Sequence, residues 1–367
     1  MRTARSPDLA EALKALGAEE LRSFIQEALD DLDDGPRGQL EDALLRRATS
    51  AGVGWRPAAP PRKVVDEVNT FVAAARRVAQ ADPSDFDDYL RQGVTASLAS
   101  DHESARAIFE ALLPPIANAD IYLGQDEMVD EVLSVAVGDC VVRYLLRWLL
   151  AGKPSAATLK KRAATALEVS PTKSPRLLGL LHILLGHVPA AATSLQKAPG
   201  LGWSSSDHPG HLLFPVFAWF GGTPAGSVRE RVAQVLNSRG WELGDFDDAG
   251  ADNAGAAKAA TPRLPRPSVM DALERAEVAK KLTAADRTSA LAAMKTAATK
   301  RADGVLENKR RRHYAHAAVL VACCVELEDA TGSGAQGSAW AESIRARTRR
   351  FPAFQEELRS ALEQVRR

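Results

Sequence analysis

The sequence predicts an all-α protein, and three observations carry that expectation. Ala and Leu dominate while aromatic residues make up only 5% of the 367 residues, a bias toward close-packed helices over sheets. Apolar residues recur at helical spacing: AEELRSFIQEALDDL sets Leu21, Phe24, Ile25, Ala28 and Leu29 on one stripe. Small residues also return at a fixed interval. Gly152 and Gly186, Ala157 and Ala191, and Ala164 and Ala198 are each 34 residues apart, the period of a helical hairpin unit.

The elements follow in order. Residues 1–51 read as a small N-terminal region of three short helices. Ser6-Pro7 supplies a cap and first-turn proline, and Gly35-Pro36 is expected to break the chain before QLEDALLRRA. GVGWRPAAPPR reads as a linker. Residues 63–240 form the repeat region. It opens with a helix from about Lys63 to Gln80 and continues through DFDDYLRQGVTASLASDHESARAIFEALLPPI. There Gly93, Ser100, Ala105 and Phe109 stand at offsets of seven, five and four, and Gly179, Gly186, Ala191 and Leu195 repeat the same ruler. Such a unit needs a small residue where its helices cross, a turn residue between them, and small or apolar residues where the second helix packs back. The run LLGLLHILLGHVPAAATSLQKA is therefore expected to be a hairpin broken at Gly186-His187, with Ala191 at the crossing. A helix pair follows from His208 to Gly240, turning at Gly221-Gly222.

Residues 241–267, rich in Ala, Gly, Asp and Pro without apolar period, read as a flexible linker. The C-terminal region 268–367 is expected to hold helices near Val269–Lys281 and Ala284–Lys300, an apolar helix HYAHAAVLVACCVEL, a loop TGSGAQGS, and a last pair separated at Phe351-Pro352.

The hairpin spacing resembles the tetratricopeptide repeat. The likeness covers Phe86 to about Ile116 and two tandem units from about Gly138 to Trp203, with ANADIYLGQDEMVDEVLSV between them. It departs from the pattern at Lys161, where a large apolar residue belongs, and at Pro171, slightly displaced. In open repeats of this kind the first helix of each unit presents polar side chains to a peptide. Here those positions read Leu90, Val94 and Leu98, then Val142, Leu146, Leu149 and Leu150, then Arg176, Leu180, Ile183 and Leu184. A bare apolar stripe of that size exceeds what soluble monomers expose, so other helices of the chain are expected to fill it. HPGHLLFPVFAWF, RRRHYAHAAVLVACC, RRFPAFQEELRSAL and LGAEELRSFIQEAL also resemble segments of large bacterial helical proteins, some carrying SWIM-type zinc fingers. This chain has no CxC…CxH signature, so that likeness implies fold alone.

Composition limits the chemistry. Apolar residues at 46% and charged residues at 26% are ordinary for a soluble globular protein. Lys plus Arg equals Asp plus Glu at 47 each, so bulk charge points to neither nucleic acid nor membrane. The first hundred residues nonetheless carry about four excess negative charges and the last hundred about five excess positive ones. The N-terminus has Asp8 and Glu11 where a signal peptide needs an apolar core, and no apolar run reaches the roughly 18 residues of a membrane span. A cytoplasmic protein with no membrane partner is expected. Cys140, Cys323 and Cys324 form no zinc-spaced pair and read as core thiols.

No nucleophile, phosphate-loop or zinc-hydrolase motif appears, so a non-enzyme with no cofactor and no metal is expected. His208 and His211 look like a metal pair but lack a third ligand, and His313 and His316 lack an acidic or cysteine partner. A helix-start role with Asp207 or Ser206 as cap is the plainer reading of SDHPGH. The densest charge is Lys309, Arg310, Arg311 and Arg312, with Arg345, Arg347, Arg349 and Arg350 as a second basic patch. Four consecutive cations on a helix would wrap around it, and Tyr314 alone offers a stacking surface. A protein-interaction scaffold with another protein as partner is the expected function, with Lys309, Arg310, Arg311, Arg312, Arg345 and Arg349 as binding candidates. A nucleic-acid-associated protein using the same residues is the alternative.

Overall fold

The computed structural model describes residues 11, 13–51, 53–117, 120–123, 137–169, 174–203, 208–236, 264 and 268–365. Among them the regular structure is helical, with one isolated bridge between Gln80 and Tyr122. The Ser6-Pro7 start, most of the insertion between the first two units, residues 237–240 of the expected helix pair, and residues 241–263 and 265–267 of the region expected as a linker lie outside the described residues.

Helices α1 (Ala18–Asp30) and α2 (Asp34–Ser50) pack on each other. The apolar stripe on α1 is only half-buried, and Phe24 remains 61% exposed. Gly35-Pro36 does not break the chain: Asp33 is the N-cap of α2, so Pro36 falls in its first turn, where a backbone N–H has no intrahelical acceptor to lose. Arg91 ties α2 to the next section, lying 3.8 Å from the buried Asp42 and 3.3 Å from Asp87.

Helix α3 (Lys63–Val78) precedes three hairpins: α4 (Pro83–Leu98) with α5 (His102–Ala117), α6 (Val137–Leu150) with α7 (Ala156–Val169), and α8 (Pro175–Leu185) with α9 (Val188–Lys197). Asp82 caps α4 by accepting the Ser84 N–H at 2.8 Å, with Pro83 at the first helical position. A Cβ on Gly93 would stand 2.9 Å from the Phe109 ring, so the first hairpin crosses at its small residue. Gly186, at φ 85°, ends α8 in the left-handed conformation that glycine takes without strain. Helix α3 packs on α5, α5 on α6, and α7 on α8, which links the hairpins into one stack.

The helices that follow cover that stack. These are α10 (Gly210–Phe220), α11 (Val228–Ala233), α12 (Val269–Arg275), α13 (Val278–Lys281), α14 (Ala284–Glu307), α15 (Tyr314–Ala330), α16 (Gly334–Arg347) and α17 (Pro352–Val365). Leu146, Leu180 and Ile183 are fully buried. Helix α12 packs on α6, α10 on α8 and α9, and α14 on α9. The face that an open array would present is therefore filled by the chain itself. Leu264 is also buried, and its carbonyl accepts Arg143 Nη1 at 2.8 Å. Helix α15 is the axis of the C-terminal part, touched by α10, α11, α14, α16 and α17. Cys323 and Cys324 are buried there, and burial pushes both thiols up.

Three boundaries differ from expectation. Helix α14 runs to Glu307 because Arg301, Ala302, Val305 and Leu306 continue its buried stripe. The glycine-rich loop shrinks to 331–333: Gly337, whose Cβ would lie 2.9 Å from Glu328 Oε2, lets α16 start close against α15. Residues 269–281 split into two helices at Glu277, which takes φ 56°.

The tightest seam joins α9 to α14. A Cβ on Gly200 would meet the Lys300 carbonyl oxygen at 2.1 Å, and one on Gly304 would meet the Gly200 carbonyl carbon at 3.1 Å. Lys300 Nζ donates to the Gln196 carbonyl at 2.7 Å, and cations suit the C-terminal end of a helix. Ala191 is fully buried on α9, a helix that packs on α8, α10 and α14. Ala191→Leu is expected to overpack this position and cost about 1–3 kcal/mol, read as a lower thermal midpoint. Gly200→Ala should lower it as well, because the obstructing atom is backbone. Unchanged midpoints in both would refute this packing.

Candidate functional site at the basic end of the C-terminal helices

The two basic patches meet at one end of the C-terminal helices. Antiparallel packing brings the end of α14, the start of α15, the end of α16 and the start of α17 together. Two contacts fix the register: Arg347 reaches Asp303 of α14 at 3.5 Å, and the Tyr314 and Phe354 rings stand edge to face at 5.8 Å.

Lys309 to Arg312 do not lie along a helix, as the sequence suggested, but form the turn between α14 and α15. Lys309 N–H donates to the Leu306 carbonyl at 3.1 Å and Arg310 N–H to Val305 at 2.8 Å. This closure usually places glycine at the left-handed position. Here Lys309 occupies it at φ 54°, a strain of roughly 1–2 kcal/mol for a residue with a Cβ. Arg311 and Arg312 then enter a short 3-10 turn, Arg311–His313, at the head of α15. The head of α15 disfavours positive charge while the C-terminal end of α14, which the same turn closes, favours it. Lys309, Arg310, Arg311 and Arg312 are all exposed, and Arg312 Nε donates to His313 Nε2 at 3.2 Å.

The second turn is more anchored. Arg345 is half-buried and paired with Glu342 at 2.6 Å. Its carbonyl accepts Gln355 Nε2 at 3.1 Å, and the same amide donates to the buried Thr348 Oγ1 at 2.6 Å. Arg349 is exposed with no ion pair among the described residues, while Arg350 lies over the Phe351 ring at 5.0 Å. The free charge thus resides in Lys309, Arg310, Arg311 and Arg349, and Arg345 belongs to the scaffold. Arg347's bond to Asp303 has no signal in the sequence, because its partner is 44 residues away.

The histidines gather elsewhere. Trp203 is buried between His208 (4.8 Å between ring centroids) and His316 (5.3 Å), with the Arg301 guanidinium 5.9 Å from its ring. His208 Nε2 faces the Pro199 carbonyl at 3.0 Å and Nδ1 accepts Gly210 N–H at 3.0 Å. The ring thereby ties the segment after α9 to the start of α10, and Asp207 and Ser206 lie outside the described residues. No three His, Cys, Asp or Glu side chains converge to hold a metal ion among the described residues. Burial first, then His208, Arg176 and Arg301, hold His211 down to about 3. His316 is likewise held well below its ordinary range by burial, with Arg301 next.

Those two histidines make the fold acid-sensitive. Each is neutral when folded and gains its proton more readily unfolded, so stability is full above pH 6.5, the ordinary histidine value, and falls as pH drops below it. The thermal midpoint is expected to follow that course, and His211→Gln should flatten the decline. An equally steep decline in the variant would place the acid sensitivity elsewhere.

No helix among the described residues is long and apolar enough to cross a membrane. No protein-family model, curated protein or solved structure matches the chain.

Proposed function

We propose that the chain is a non-catalytic interaction scaffold built on tetratricopeptide-like hairpins, and that its basic C-terminal end holds an acidic protein surface. The observation that carries this reading is the turn at Lys309 to Arg312. Its lysine stands in a strained backbone position, and four consecutive exposed cations crowd one turn. Such placements weigh against folding, which favours a role in binding. The 34-residue spacing supports the repeat assignment. The filled inner face leaves the outer surfaces and ends for partners.

Nucleic acid is the second reading for the same cations. Tyr314, the aromatic nearest to them in sequence, is buried against Phe354 and offers no face to a base. That favours protein over single-stranded nucleic acid.

Capture of partners with the full chain tests the proposal. An acidic protein should co-purify with the native chain and be lost with Arg310→Glu/Arg311→Glu. Lys309→Gly should weaken the same complex while raising stability by about 1 kcal/mol, because glycine relieves the left-handed strain. Random duplex should bind no better than about 10⁻⁶ M at physiological salt. A tight, steeply salt-dependent duplex complex would overturn the scaffold reading in favour of the nucleic-acid one.

A further inference from the structure

At the hairpin end, away from both basic turns, arginines converge without a carboxylate to answer them. The turn joining α4 to α5 and the turn after α6 sit side by side, and Arg56 of the preceding linker lies over them. Arg56, Ser100, His102, Ala151, Gly152 and Arg162 line an open cleft of about 580 Å³. Arg147 stands at its edge, donating from Nε to Ser97 Oγ at 2.8 Å and from Nη2 to the Ser97 carbonyl at 2.9 Å. Arg162 Nη1 serves the Trp148, Leu149 and Ala151 carbonyls at 2.8–3.1 Å, which fixes the guanidinium across the end of α6.

None of Arg56, Arg147 and Arg162 is within ion-pairing distance of a carboxylate among the described residues. The acids nearby are engaged: Asp101 accepts Ser104 N–H at 3.2 Å at the start of α5, and Glu103 accepts Trp148 Nε1 at 2.7 Å. The cations act on one another. His102 is held below its ordinary range by burial, then Arg147 and Arg56, with Arg162 adding to them and Asp101 opposing. Its Nδ1 is buried without a hydrogen-bond partner. Burial and Arg56 likewise lower Arg147. Like charges held this close are unfavourable unless an anion joins them.

We propose that this cleft binds the phosphate group of a small phosphorylated molecule, with Arg56, His102 and Arg162 as its ligands and the charge of Arg147 behind them. Donors approaching from the linker, the start of α5 and helix α7 suit a tetrahedral, doubly charged oxyanion. A carboxylate is satisfied by a single guanidinium fork. Phosphate binding favours the protonated form of His102, so the complex takes up a proton where the free site holds His102 neutral.

Calorimetric titration of the full chain at low salt with pyrophosphate and with glycerol 3-phosphate tests the assignment. Binding by pyrophosphate alone marks a site for free phosphates, and binding by glycerol phosphate places esters in it. At least one should bind saturably, with a heat that varies with buffer ionisation. Arg56→Ala, which removes an exposed linker side chain, should weaken binding roughly tenfold. His102→Gln should abolish the buffer dependence, and Arg310→Glu/Arg311→Glu should leave both unchanged. The proposal is overturned if neither probe saturates, if Arg56→Ala binds as the native chain does, or if acetate competes as well as phosphate.

Discussion

The close approach of the segment after α9 to helix α14 is the constraint on which the rest of the molecule depends. Gly200 and Gly304 let two backbones meet where any side chain would intrude, and Lys300 and Arg301 donate to carbonyls at the end of the third hairpin and just beyond it. Once α14 is seated there, α15 follows antiparallel to it, and α10 lies between the hairpins and the C-terminal helices. The apolar face of the hairpins is then out of water, at roughly 25 cal/mol for each Å² removed. Without that seam, Leu146, Leu180 and Ile183 would form an exposed stripe.

The same seam decides where charge can gather. With the inner face filled, two clusters of cations lie on the outside of the chain. One is the turn beyond α14, where Lys309 holds a backbone conformation that favours glycine. The other is the cleft at the hairpin end, lined by Arg56, His102 and Arg162, with Arg147 near enough to act on His102. The histidines beside Trp203 have the opposite role. His208 joins the Pro199 carbonyl to the Gly210 N–H, and desolvation keeps the half-buried His211 and His316 neutral.

Much of this was legible in the sequence, for identifiable reasons. The first hairpin crosses at its small residue, Gly93 against Phe109, whereas the matching Gly179 of the third faces Leu213 of α10. The covering of the apolar stripe followed from its size. Local punctuation was less dependable. Gly35-Pro36 looked like a break but fits a first turn, and TGSGAQGS looked like a loop but supplies the glycines α16 needs to approach α15. Consecutive cations at 309–312 suggested a helix, whereas the turn that gathers them depends on closure of α14. The cleft around Arg56 was not legible at all. Its cations are separated by 91 and 15 residues in sequence (Arg56, Arg147, Arg162) and meet only because two hairpin ends stack.

Native-state amide hydrogen exchange tests most directly whether the hairpins and the C-terminal helices form one body through this seam. If they do, the slowest amides of α8 and α15 should open with the same free energy and the same denaturant dependence, as one cooperative unit. Exchange of α8 and α9 through a cheaper opening that leaves α14 to α17 protected would contradict it.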